Sequence, residues 1–281
     1  MKYGMNLLLW SGSIGPDHYK LLADLQAAGF DGVEVPVFGG TPAEYRPLAA
    51  ELKKNGLRCT TVTILTAETN AVSPDPAVRT KAVEWLKTVV DINHVLGAET
   101  LCGPYHSAIG VFSGAGPTAD ETNRSADVLR EVAEHAKGAN LMLAIEYLNR
   151  FECYALTTAR QAADLVKKVD HPHFRMMYDS FHAHIEEKSQ ADGIRVAAPH
   201  LAHVHVSEND RGTPGTGQVR WDEFFGTLAG VGYDGWLVVE AFGRALPDLA
   251  AATRVWRDLF PSPEDVYANG LAFMKQKTAA K

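Results

Sequence analysis

A chain of 281 residues with 46% apolar and 22% charged side chains has an ordinary globular composition and is long enough to bury one large core. A formal charge of −7 with no lysine or arginine run excludes a surface built for a phosphate backbone, and no apolar stretch approaches the roughly 20 residues of a membrane span. The scattered Cys59, Cys102 and Cys153 suit neither a disulfide framework nor a thiolate metal site, and the N-terminus lacks signal-peptide character, so a cytoplasmic location is expected.

The first β-type run covers residues 4–9 and is followed by an amphipathic segment at 19–28. Further strands are predicted at 32–35, 58–62, 99–102, 141–145, 174–178, 202–206 and 236–239, with helical segments at 80–96, 121–137, 157–169 and 221–228 between them. The stretch Ala28-Gly29-Phe30-Asp31-Gly32-Val33-Glu34-Val35 returns as Val231-Gly232-Tyr233-Asp234-Gly235-Trp236-Leu237-Val238, and Gly56, Gly97 and Gly138 also stand just before β-type runs. A glycine past a helix end accepts the left-handed conformation that turns the chain toward the next strand. Eight strands alternating with helices, without a linker or composition break, predict a single-domain (β/α)8 barrel. A last helix at 263–277 is expected outside the barrel, with a frayed tail.

Long loops follow strands at residues 66–75, 103–117, 147–155, 180–188 and 207–220, on the face where a barrel carries its active site. Four apolar runs of the second half end there in metal-capable side chains: Glu146, Asp179, His205 and Glu240, in steps of 33, 26 and 35 residues. Steps of this size place all four at one mouth. Their O and N donors suit Mn²⁺, with Co²⁺ or Mg²⁺ as alternatives, and a cation makes three neighbouring carboxylates tolerable.

Further polar residues follow each candidate ligand: Asn149, Arg150 and Glu152; His182 and His184; Glu208, Asn209 and Arg211. The glycine-rich stretch 209–217 reads as a mobile polar loop, because no phosphate-binding Lys-Ser/Thr follows it. His184 is assigned no more than an ordinary surface role. His94, His135, His171, His173 and His200 fall at the opposite end of the barrel and are given no function, while His203 reads as a core or supporting residue beneath His205. Asn6 and Trp10 are candidates for the pocket floor or wall.

The segments Glu146-Tyr147-Leu148-Asn149-Arg150-Phe151-Glu152, Tyr178-Asp179-Ser180-Phe181-His182, His203-Val204-His205-Val206-Ser207-Glu208-Asn209-Asp210-Arg211-Gly212 and Val239-Glu240 resemble the ketose 3-epimerases acting on D-tagatose, D-psicose or L-ribulose, within the xylose-isomerase-like barrels. The resemblance runs from the first strand to about Phe260. It implies one divalent ion on Glu146, Asp179, His205 and Glu240, substrate contacts at Glu152, His182 and Arg211, and contacts to the distal end of the sugar from Trp10 and the segment 103–107, which includes Tyr105. Glu146 and Glu240 would be the catalytic pair, since exchanging a C3 proton between opposite faces of a ketose calls for two bases. A homodimer or homotetramer is expected. Inosose isomerase, hydroxypyruvate isomerase and keto-polyol dehydratase share the barrel and the metal, and a metal-dependent sugar-binding module is the non-enzymatic alternative.

Overall fold

The structure, a computed structural model, describes residues 1–279. Strands β1 (Lys2–Asn6), β2 (Gly32–Pro36), β3 (Arg58–Val62), β4 (Thr100–Gly103), β5 (Met142–Ile145), β6 (Phe174–Asp179), β7 (Leu201–Val206) and β8 (Trp236–Val239) pair in parallel and in chain order, and β8 closes on β1. The helices are α1 (Tyr19–Ala28), α2 (Arg46–Lys54), α3 (Pro76–Leu96), α4 (Ala119–Gly138), α5 (Ala159–Val169), α6 (Ser180–Glu186), α7 (Gln190–Ala197), α8 (Trp221–Gly230), α9 (Pro247–Thr253) and α10 (Pro263–Ala279). The predicted (β/α)8 barrel is the observed one.

Local chemistry explains most boundaries. Helix α3 starts on Pro76 with the Asp75 carboxylate accepting from Ala77 N–H, and stops at Gly97, whose φ is 66°. Helix α4 starts in a reciprocal cap between Thr118 and Glu121. Gly29, Gly56, Gly97 and Gly232 all have positive φ, as expected, but Gly138 is the last residue of α4 and Asn140 takes the left-handed turn instead.

Three expectations need correction. The first strand ends at Asn6 and gives way to a 3-10 turn, because the Asn6 side chain accepts from Leu8 N–H and caps the turn. The segment 180–188 is largely helix α6, started by the Asp179 carboxylate, which accepts from the backbone N–H groups of Phe181 and His182. Helix α10 lies outside the ring of strands, as expected, packed against β1, β8 and α8 with Val266, Leu271 and Met274 buried. The predicted frayed tail is helical to Ala279, and residues 280 and 281 lie outside the described residues.

A broad apolar belt fills the space between strands and helices, and a smaller cluster including Val62, Cys102, Ala144 and Met177 draws one residue from each of β3 to β6. Trp236 fills the floor. A Cβ on Gly32 would lie 2.7 Å from its ring and 2.4 Å from the Arg58 carbonyl oxygen, so only glycine fits there. No helix among the described residues is long and apolar enough to cross a membrane.

Candidate active site at the barrel mouth

Glu146 follows the last residue of β5, Asp179 ends β6, His205 is the penultimate residue of β7, and Glu240 follows the last residue of β8. All four are buried. Asp179, His205 and Glu240 each bring a donor atom within 4.8 Å of the other two, and Glu146, Asp179 and His182 form a second such group sharing Asp179. The His205 Nδ1 atom lies 3.4 Å from Asp179 Oδ2 and 3.2 Å from Glu240 Oε1.

The donor set fits a divalent cation. Asp179 spends Oδ1 on the start of α6 and leaves Oδ2 without a hydrogen-bond partner, as are His205 Nδ1 and Glu240 Oε2. Three orphaned buried atoms at one point are costly without a shared positive charge. Burial, reinforced by the Glu240 and Asp179 charges, pushes the Glu146 carboxyl well above its usual range against the pull of His205. Burial also raises Glu240, whereas at Asp179 burial is outweighed by His205, His182 and Arg211 and the pKa falls to about 2.

Glu34, in the middle of β2, was not singled out from the sequence. It is completely buried, and its Oε1 lies 2.8 Å from His205 Nε2. The one acidic residue inside the buried run Gly32–Pro36 was the available signal.

The second tier of polar residues is built around Arg211. Its Nη1 donates to Glu152 Oε1 at 2.9 Å, and its guanidinium lies 4.1 Å from the Phe181 ring centre and 4.8 Å from that of Phe242. Although burial pushes upward, the Arg211 and His182 charges hold the Glu152 carboxyl below its usual range. His182 Nδ1 accepts the backbone N–H of Asn149 at 2.9 Å, while its Nε2 faces the Arg211 guanidinium at 3.1 Å and lies 3.6 Å from Glu146 Oε1. Burial lowers the His182 pKa to about 4, in keeping with a neutral ring. Arg211 itself has φ of 62°, an unusual backbone for arginine, kept by N–H donation to the Glu208 carbonyl and acceptance from Phe242 N–H.

The expected mobile loop is instead anchored. The buried Glu208 carboxylate accepts from the backbone N–H groups of Gly215 and Val219 and from the Trp221 indole, which ties residues 208–221 together. Glu208→Ala is expected to cost about 3 kcal/mol, since it strands several buried donors. Thermal unfolding together with faster amide exchange at Gly215 and Val219 would register it, and an unchanged melting temperature would remove the anchor role.

Asn6 and Tyr105 are both engaged by neighbouring groups of the barrel. The Asn6 amide faces the interior, where its Nδ2 donates to Glu34 Oε1 at 3.0 Å and approaches Glu240 Oε1 at 3.4 Å, so it braces carboxylates. Tyr105 is fully buried and donates its hydroxyl to the Leu101 carbonyl, which makes it wall packing rather than a hydroxyl contact. Trp10 stays partly buried with its ring 6.2 Å from that of Tyr267. A cleft of about 550 Å³ opens nearby between the segments following β1 and β2, lined by Ile14, Phe38 and Tyr45 among others. His184 is only partly buried, and His135 and His171 pair with Asp91 and Glu134 on the outer helices.

Known proteins point the same way. A family profile described as xylose isomerase-like TIM barrel matches residues 22–277. A ketose 3-epimerase of Arthrobacter globiformis is 32% identical over all of this chain and 98% of its own length, and a D-psicose 3-epimerase of Ruminiclostridium cellulolyticum is 32% identical over 92% of this chain and 90% of its own. The crystal structure of a D-allulose 3-epimerase from Methylomonas sp. in complex with D-allulose superposes with a TM-score of 0.92 at 29% identity, covering 99% of this chain and 97% of that one. The chain belongs to the ketose 3-epimerases of the xylose isomerase-like TIM-barrel family.

Proposed function

We propose that this protein epimerises free ketoses at C3, with Glu146 and Glu240 as paired acid and base and a divalent ion, Mn²⁺ by preference, held by Glu146, Asp179, His205 and Glu240. The observation that carries the reading is the pair of glutamates: they come from β5 and β8, three places apart around the ring, both are buried, and both are pushed upward in pKa toward the range of a working acid and base. When bound, the ion would polarise the C2 carbonyl and C3 hydroxyl oxygens of a ketose and favour the negative charge that develops on loss of the C3 proton.

The chain's own groups supply the rest. One glutamate takes the C3 proton from one face, and the other delivers a proton to the opposite face, which inverts the centre. His182 stands beside Glu146, its ring edge 3.6 Å from Glu146 Oε1, where it borders the space for a sugar oxygen. Arg211 and Glu152 hold one another at the substrate side of His182, and Arg211 Nη2 stands 3.1 Å from His182 Nε2. The aromatic faces of Phe181 and Phe242 keep the guanidinium in place.

Arg211→Ala is expected to lower kcat/KM for ketoses by about 10- to 100-fold, the worth of a charged hydrogen bond, while fold and metal content stay intact. Steady-state kinetics and metal analysis on the same sample check both halves, and unchanged kcat/KM would return Arg211 to a structural role.

The Arg211 guanidinium is already paired with Glu152, which supports free sugars over sugar phosphates as substrates. The deciding experiment incubates the protein and Mn²⁺ in D₂O with free ketohexoses, ketopentoses and inososes, and with the matching ketose phosphates. Deuterium at C3 together with the C3 epimer supports the proposal. An aldose product with exchange at C1 would replace it by an isomerase, and binding without any proton exchange would leave a sugar-binding module.

A further inference from the structure

We infer that Glu34 is a positioning residue that fixes His205 in its Nε2–H tautomer and so turns the Nδ1 lone pair toward the mouth. The inference rests on the metal-dependent reading above, because it concerns how one proposed ligand is presented to the ion. The geometry is direct: Glu34 Oε1 and His205 Nε2 are 2.8 Å apart, and both side chains are completely buried. A carboxylate can only accept, so the ring proton must sit on Nε2 in the neutral imidazole. Nδ1 is then bare, with Asp179 Oδ2 and Glu240 Oε1 within 3.4 Å of it.

Glu34 is held for this task from several sides. Asn6 Nδ2 donates to the same Oε1, while Thr60 Oγ1 and Cys102 Sγ donate to Oε2, each at 3.1 Å. His203 Nε2 lies 2.8 Å from Oε2 and presents its ring edge-on to His205. Glu34, Cys102, His203 and His205 also form a group of metal-capable type. The 2.8 Å contacts of Glu34 with His203 and His205 are shorter than the roughly 3.3 Å that separates two ligands about a tetrahedral ion with bonds near 2.0 Å. Glu34, Asn6, Thr60, Cys102 and His205 form a hydrogen-bonded network under the mouth with His203 packed against it, not a second cage. The Asn6 amide extends the network to Glu240 by its 3.4 Å approach, so one buried carboxylate steadies a proposed ligand and, through Asn6, a proposed base.

Glu34→Gln keeps the volume but leaves one acceptor oxygen where two served. If the amide turns its NH₂ to His205, the ring proton moves to Nδ1 and blocks the ion. The test is a titration of the metal-free full-length protein with Co²⁺, followed by its visible absorption, for wild type, Glu34→Gln, His205→Ala and the double variant. Co²⁺ affinity of Glu34→Gln is expected to fall roughly 10- to 100-fold with a changed ligand-field spectrum, and Glu34→Gln is expected to add nothing in the His205→Ala background. Wild-type affinity and spectrum in Glu34→Gln would overturn the role, and so would a full additional loss in the double variant. Failure of the wild type itself to bind Co²⁺ would instead reject the metal reading, and this inference with it. Glu34→Asp keeps the charge but shortens the reach to His205, and it stands in if the glutamine variant does not fold. It is expected to bind Co²⁺ at least about fivefold more weakly, and wild-type affinity there would overturn the role equally.

Discussion

Replacing either Glu146 or Glu240 by Gln is expected to lower epimerase turnover by at least about 100-fold, the usual scale for losing a positioned acid or base. Glutamine keeps an oxygen donor and nearly the same volume, so some cation binding should survive while the proton carrier is lost. The two variants should also be distinguishable from each other. With one epimer of a ketose pair, the surviving glutamate faces the C3 proton and can still exchange it with D₂O without inverting the centre. With the other epimer that exchange should vanish, and the pattern should reverse between Glu146→Gln and Glu240→Gln. NMR of the recovered sugar reads both deuterium content and configuration. Near wild-type epimerisation in either variant would sink the two-base assignment.

Removal of the divalent ion is expected to abolish turnover, and addition of Mn²⁺, Co²⁺ or Mg²⁺ to restore it, because the candidate ligands offer only O and N donors. Stability should follow. An ion present at a hundred times its Kd stabilises the folded state by about 2.7 kcal/mol, which for a domain of this size corresponds to a rise in Tm on the order of 5 °C. Protons compete for the same lone pairs. Burial raises the Glu146 and Glu240 carboxyls, and at His205 the Glu34 and Glu240 charges outweigh burial and raise the imidazole. In the metal-free protein, groups raised in this way contribute stability at low pH and lose it as pH rises through their folded-state values. In the loaded protein the ion has displaced those protons. The gap in Tm between the two forms should therefore widen from mildly acidic to neutral pH, as differential scanning fluorimetry at several pH values would show. Full activity in a sample verified as metal-free would reject the site.

Much of this protein was legible in one dimension. The spacing of apolar runs located all eight strands to within about two or three residues at their boundaries, since a buried parallel strand needs a continuous apolar run and a crossover helix to return. The same spacing brought Glu146, Asp179, His205 and Glu240 to one end, because each stands at the C-terminal end of its strand. Helices α2, α7 and α9 were less visible: they span only 9, 8 and 7 residues, too short for a sustained helical period, and α7 carries Gly193 in its middle. The role of Glu208 was hidden for a different reason. Its partners Gly215, Val219 and Trp221 come together only when the loop folds back, and a glycine-rich polar segment otherwise looks unconstrained.

The sequence by itself determined the architecture, the face that carries chemistry and the kind of donors gathered there, because strand periodicity and chain reach leave few other solutions for this pattern. The tertiary structure decided which atoms of those donors are free and where they point. Between Met176 and Met177 the pairing of β6 with β7 slips by one residue, which sets Asp179 level with His205; regular pairing from Met176 would have set it level with Val204. Side chains alternate between the two faces of a strand, so that slip decides whether the carboxylate meets the imidazole at the same height in the lumen. Glu34 shows the same division. Its identity is plain in the chain, but its bond to His205 spans 171 positions and exists only because the sheet closes into a barrel.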